Sequence, residues 1–130
     1  MQPKKIFIVD DDSFLLDMYA LKFSQSGFDV STALGAVAAL EKLRADKTYQ
    51  PDLILLDIVM PVMDGFEFMA KMIEESLAKD AMRIVLSNRG LDSDIKKAED
   101  LGAVGYIVKA STTPAEVVTQ VSAIISKNKK

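Results

Sequence analysis

The sequence predicts a doubly wound α/β domain, a parallel sheet covered by helices in a three-layer α/β/α arrangement, and three features predict it. Short unbroken apolar runs alternate with longer amphipathic stretches from one end of the chain to the other. The alternation is strict, five strand–helix units in succession, and right-handed crossovers between parallel strands then place helices on both sides of the sheet. No internal repeat, low-complexity segment or linker interrupts it. The 130 residues are therefore expected to form one domain, 1–130 with a core over about 4–126, large enough to need no disulfide or metal staple.

The first strand is Ile6-Phe7-Ile8-Val9. A run without polar alternation suits a strand buried on both faces, as in a parallel sheet. Helical periodicity follows over 13–25 and stops before Gly27, a residue suited to the left-handed position that ends a helix; Asp12 or Ser13 supplies the N-cap. A weaker run from Phe28 to Ala33 is the second strand, and Val37, Leu40 and Leu43 mark the second helix. Leu53-Ile54-Leu55-Leu56 is the third strand, followed by a helix marked by Phe68, Met69, Met72 and Ile73. After the fourth strand, Ile84-Val85-Leu86, the helix over roughly 91–101 offers only Ile95, Ala98 and Leu101 for burial and is otherwise mostly charged. Tyr106-Ile107-Val108 is the fifth strand. The last helix buries Val117, Val121, Ile124 and Ile125 and opens with Thr113-Pro114-Ala115-Glu116: an N-cap Thr, Pro at the first helical position and Glu at the third, which reads as a capping box. The tail Lys127-Asn128-Lys129-Lys130 reads as a solvated helix end, where cations suit the dipole.

Composition narrows the chemistry. With 49% hydrophobic and 27% charged residues the chain is expected to fold rather than remain disordered. A net charge of -3 gives no electrostatic reason to bind nucleic acid or an anionic membrane. The absence of Cys excludes disulfides and thiolate sites, and the absence of His excludes the Ser-His-Asp and Cys-His triads, most zinc sites and a phosphohistidine carrier role. Chemistry must therefore use Asp, Glu, Lys, Ser or Thr. The apolar run after Met1-Gln2-Pro3-Lys4-Lys5 is too short for a signal sequence or a membrane span, so the cytoplasm is the expected location.

In an open α/β sheet, function gathers beyond the C-terminal ends of the strands. Those ends read Asp10-Asp11-Asp12, Asp57, Ser87-Asn88 and Lys109. Asp57 directly follows Leu53 to Leu56, so its Cα should sit at the edge of the core, where desolvation and repulsion from Asp10 and Asp11 would penalise a lone carboxylate. A divalent cation and a nearby ammonium would remove that penalty. Mg²⁺ suits a set of hard oxygen ligands, whereas no D-x-[DN]-x-[DN]-G loop favours calcium. Lys109 supplies a fixed positive charge and Ser87 a hydroxyl donor, groups suited to the oxygens of a phosphoryl group on Asp57.

Ile6-Phe7-Ile8-Val9-Asp10-Asp11-Asp12, Leu55-Leu56-Asp57-Ile58-Val59-Met60-Pro61-Val62-Met63-Asp64-Gly65, Ser87 and Gly105-Tyr106-Ile107-Val108-Lys109 together make the chain resemble the receiver domains of bacterial two-component response regulators, from Lys4 to about Ser126. The resemblance implies a flavodoxin-like strand order 2-1-3-4-5. It implies that Asp57 accepts a phosphoryl group from a sensor histidine kinase or a histidine phosphotransfer protein, with Mg²⁺ bound. By position, Asp10, Asp11 and Asp57 are the metal-side acids, with the backbone carbonyl of Val59 as a further ligand. Ser87 is the switch hydroxyl, with Asn88 beside it in the phosphate pocket, Lys109 is the phosphate-binding lysine, and Tyr106 is the aromatic that changes rotamer while packing on the fourth helix. Val59 and Arg89 should flank the acyl phosphate and tune its lifetime: an apolar Val59 cannot orient attacking water, and Arg89 can cover the phosphoryl oxygens. The expected output is a downstream protein partner read through the fourth helix, fifth strand and fifth helix. Such a domain signals rather than catalyses, apart from its own Mg-dependent phosphorylation and dephosphorylation. It is expected as a monomer or a phosphorylation-dependent homodimer, standing alone or as a piece of a larger regulator.

Three residues depart from the family pattern. Val62 replaces a small residue in the loop Met60-Pro61-Val62-Met63-Asp64-Gly65, and β-branching should keep φ negative there. Asn88 stands where Ala is usual and adds an amide to the pocket. Ala110 stands where Pro often follows the lysine; a cis Lys109–Ala110 bond would cost roughly 2.5–4 kcal/mol, so a trans bond with a rerouted loop is expected. Two rival readings fit these residues less well. An aspartyl-phosphate hydrolase would carry a second Asp two residues after the nucleophile, where Val59 stands. A receiver-like interaction module that never takes phosphate would not need Asp11, Asp57, Ser87 and Lys109 together.

Overall fold

The computed structural model describes residues 4–128; Met1-Gln2-Pro3 and the Lys129-Lys130 end of the basic tail lie outside the described residues. The apolar runs form one parallel sheet of β1 (Lys5–Asp10), β2 (Asp29–Leu34), β3 (Leu53–Leu56), β4 (Met82–Ser87) and β5 (Ala103–Val108), in the order β2-β1-β3-β4-β5. Between them run α1 (Ser13–Gln25), α2 (Ala36–Ala45), α3 (Gly65–Glu74) and α4 (Asp92–Asp100), and α5 (Pro114–Lys127) closes the chain.

Successive strand residues face opposite sides, and the unbroken runs therefore feed two cores. Phe7, Val9, Ile54, Leu56 and Val85 face α2, α3 and α4, where they meet Leu40, Phe68, Met72 and Ala98. Ile6, Ile8, Leu55, Ile84 and Ile107 face α1 and α5, meeting Leu16, Phe23, Val117 and Val121. None of the four residues of β3 is more than 1% exposed, which is why its sequence shows no alternation.

The caps follow local chemistry. Of the two candidates at α1, Asp12 is the N-cap: its Oδ1 accepts from the Leu15 N–H at 3.1 Å. Gly27, at φ 93°, follows the end of α1 in the conformation expected of it. At α5 the Thr113 Oγ1 accepts from Glu116 N while Glu116 reaches back to Thr113 N, the reciprocal box the sequence predicts. The helix stripes are narrower than the sequence suggests: Val37 and Ile73 lie at the solvent edge, and α4 fully buries only Ala98 and, unexpectedly, Asp94, with Ile95 half-buried.

Two positions in the β3–α3 connection are set by its shortness. Gly65 donates to Ile58 O at 2.8 Å, and a Cβ on it would stand 2.3 Å from Asp57 O and 2.8 Å from Ile58 Cα. Only glycine allows this approach. Val62 corrects the sequence expectation: its φ is 71°, in the left-handed region. Met63 N donates to Pro61 O at 2.8 Å, closing the rarer, strained form of γ-turn around Val62. The side chain is 93% exposed, so β-branching opposes the turn without any packing clash to enforce the objection.

Val62→Gly is accordingly expected to stabilise the domain by about 0.5–1 kcal/mol, the left-handed penalty less the added freedom of the unfolded chain. Gly65→Ala should destabilise it by about 3 kcal/mol, because backbone atoms cannot move aside. Urea denaturation of the two variants beside the wild type checks both signs.

Candidate functional site

Parallel pairing puts the C-terminal ends of neighbouring strands side by side. Val9 pairs with Leu56, Leu56 with Val85, and Ser87 with Val108. The next residues along, Asp10, Asp57 and Lys109, therefore emerge at one edge of the sheet beside Ser87. The Lys109 Nζ lies 2.7 Å from Asp10 Oδ2 and 2.7 Å from Asp57 Oδ2, with all three side chains buried. Lys109 opens a 3-10 turn, Lys109–Ser111, and the bond to Ala110 is trans, so the loop reroutes as expected.

The remaining lone pairs are directed by backbone. Asp57 Oδ1 accepts from Ile58 N at 2.7 Å and Val59 N at 3.2 Å. Asp10 Oδ1 accepts from Asp12 N at 3.0 Å. Burial dominates at Asp10 and raises its pKa above the ordinary 3.8, against the lowering effect of Lys109 and the Asp12 N–H. At Lys109 burial works to lower the pKa, but hydrogen bonds to Asp10 and Asp57 together outweigh it and hold the ammonium above its ordinary 10.5. The lysine is therefore charged throughout the neutral range.

These groups line a cavity of about 400 Å³. The structure brings Asp10, Asp11, Asp57, Ser87 and Lys109 to it, with Val59, Asn88 and Arg89 at its rim. Ser87 is fully buried and its Oγ accepts from Arg89 N at 3.3 Å. Tyr106 is outside this cavity. It borders a separate groove with Ile95, Ala98 and Glu99, and its hydroxyl donates to the Arg89 carbonyl. At the cavity rim the Arg89 guanidinium pairs with Asp94, its Nε 3.1 Å from Asp94 Oδ2. Asp94 is the group that sequence reading missed. It stands at the third position of α4, where an acid is ordinary helix capping, and nothing local marks it as a partner of Arg89.

Asp10, Asp11 and Asp57 each offer a carboxylate oxygen within 4.8 Å of the others. Among the described residues nothing engages the exposed Asp11 carboxylate. Three acids against one ammonium leave the cluster acidic, and an all-oxygen donor set fits a hard divalent ion such as Mg²⁺ better than a softer metal.

The model of the response regulator receiver domain family matches residues 6–122. The chain is 35% identical over 108 residues to the chemotaxis protein CheY of Treponema pallidum, covering 82% of this chain and 73% of that protein. It is 31% identical over 125 residues to the alkaline phosphatase synthesis transcriptional regulatory protein PhoP of Bacillus subtilis, covering 96% of this chain and 50% of that protein. The chain thus spans about half the length of that regulator, and 52% of the phosphate regulon regulator PhoB of Escherichia coli. Among solved structures, Vibrio cholerae chemotaxis protein CheY4 superposes with a TM-score of 0.83 at 26% identity, over 94% of this chain and 98% of that one.

Removing the shared ammonium leaves two buried carboxylates unpaired. Lys109→Met should therefore destabilise the metal-free domain by about 3–5 kcal/mol at neutral pH. The deficit should shrink in acid, where protonated carboxyls need no counter-ion. Because the folded pKa of Lys109 is raised, its contribution is complete below the unfolded value of 10.5 and is lost as pH climbs through the folded one. Denaturant titrations across pH should show that alkaline loss in the wild type and not in Lys109→Met.

Proposed function

The chain belongs to the response regulator receiver domain family, and on that premise we propose that Asp57 accepts a phosphoryl group from a sensor histidine kinase or histidine phosphotransfer protein in the cytoplasm. The observation that carries the reading is the convergence of strand ends on Asp57: a buried carboxylate touching a fixed ammonium at 2.7 Å at the floor of an acidic cavity.

In the proposed transfer a carboxylate oxygen of Asp57 bonds to phosphorus as the P–N bond of the donor breaks, and the bond's electron pair leaves with the imidazole. Lys109 balances charge on the incoming oxygens from its present position. Ser87 offers its hydroxyl to one of those oxygens, with the Asn88 amide at the rim. Asp10, Asp11, Asp57 and the Val59 carbonyl would hold Mg²⁺, which supplies neutralisation of phosphoryl charge when bound. Val59 presents an exposed apolar side chain that cannot orient attacking water, which favours a long-lived phosphoprotein.

The proposed readout is the face formed by α4, β5 and α5. When Ser87 turns toward phosphate it gives up its bond from Arg89 N, and Tyr106 is tied to the same residue's carbonyl. The two states then differ in the surface they show a downstream protein.

Incubation with acetyl phosphate and Mg²⁺ should add one phosphate by intact mass, and Asp57→Ala should abolish the gain; equal labelling of the variant would overturn the assignment. Millimolar Mg²⁺ should raise the melting temperature, by the equivalent of about 1.4 kcal/mol at ten times its dissociation constant. Asp11→Ala should blunt that rise in a thermal-shift titration.

A further inference from the structure

Arg89 occupies an unusual junction. Its N–H donates to Ser87 Oγ, its carbonyl accepts from Tyr106, and its guanidinium pairs with Asp94 at the start of α4. The same residue lines the cavity that holds Asp57. Of the residues lining that cavity, Arg89 and Lys109 alone carry positive charge, and Lys109 already faces two carboxylates.

Resting on the reading of Asp57 as phospho-acceptor, we propose that Asp94 holds Arg89 in reserve as a second phosphate-positioning cation. On phosphorylation the guanidinium exchanges Asp94 for the phosphoryl oxygens. The exchange frees the start of α4.

Charge supplies the drive. Phosphorylation replaces one negative charge on Asp57 by nearly two, in a cluster whose ammonium is already shared. The present Arg89–Asp94 contact is a single one through Nε at 3.1 Å, and among the described residues the two Nη groups donate to no acceptor. A phosphoryl group offers the planar fork a two-point match, a stronger arrangement than the one-point contact it leaves. The guanidinium is half-exposed and sits on the cavity rim, so it can move without unpacking the core.

Asp94 tolerates the loss. Its Oδ2 still accepts from Leu91 N at 3.3 Å, and its place in the first turn of α4 lets the helix dipole stabilise the charge. The contact to Arg89 ties the helix start to a cavity-rim side chain. Ser87 and Arg89 are then recruited by the same anion, and the bonds they leave, Ser87 Oγ with Arg89 N and Arg89 Nε with Asp94, hold in place the residue whose carbonyl accepts from Tyr106.

The test combines intact-mass kinetics with nuclear magnetic resonance on the whole chain, using acetyl phosphate and Mg²⁺. Phosphorylation should shift the Arg89 Nε–H resonance away from its Asp94-bonded position in the wild type. Asp94→Asn, which keeps a capping side chain, should shift the same resonance before phosphorylation and lengthen the phosphoprotein lifetime by roughly threefold to tenfold, the scale of coupling within one ion-pair network. In an Arg89→Gln background the same substitution should leave the lifetime unchanged. A mass gain with an unmoved Arg89 resonance, or an equal Asp94→Asn effect in both backgrounds, overturns the exchange alone. No mass gain at all overturns the phospho-acceptor reading and the exchange with it.

Discussion

One ammonium stands between two buried carboxylates at the C-terminal edge of the sheet, and the chemistry of this domain depends on that shared contact. Lys109 lies 2.7 Å from an oxygen of Asp10 and of Asp57, at the end of a strand two places from β3 in the sheet. Without it the sheet would present unpaired acids at the margin of its core, a large penalty for a domain of marginal stability. With it the cluster is folded but still acidic. That residual negative charge, carried by three carboxylates within 4.8 Å of one another, suits the chemistry of a hard cation.

The second constraint is distance. Asp57 leaves the core at the end of β3, and α3 must begin close enough for Gly65 to bond Ile58. A connection that short fixes Asp57 Oδ1 against two backbone N–H groups and forces the turn at Val62. The Asp64–Glu67 capping box then anchors the far end of the loop. Backbone strain at Val62 and rigidity of the Asp57 carboxylate are two results of the same closure.

The third feature is a set of bonds that runs outward from the acidic cavity. Ser87, Arg89, Tyr106 and Asp94 form a chain of contacts from the floor of the cavity to the outer face of β5 and the first turn of α4. α4 is the most polar helix in its burial: Ala98 and Asp94 are its fully buried residues. Ala98 is the one fully buried hydrophobic residue of α4, fewer than in any other helix, and few buried apolar contacts mark low local stability.

Much of this was legible in the sequence because it is local. Unbroken apolar runs such as Leu53 to Leu56 identify strands buried on both faces, Thr113-Pro114-Ala115-Glu116 identifies a helix start, and strict alternation sets a parallel doubly wound sheet. Asp57, Asp10, Asp11, Ser87 and Lys109 could be named because strand ends in such a sheet share one edge. Tertiary structure alone decided the rest. Val62 takes a left-handed turn because closure of its loop outweighs the preference of its own side chain, and no local pattern reports closure. Arg89 pairs with Asp94 because the 88–91 segment folds back onto the start of α4, where the sequence shows only a helix-capping acid. Tyr106 bonds a carbonyl 17 residues away for the same reason. Periodicity and capping are written in neighbouring residues, whereas the partner of a charge is set by which distant segments the packed core brings together.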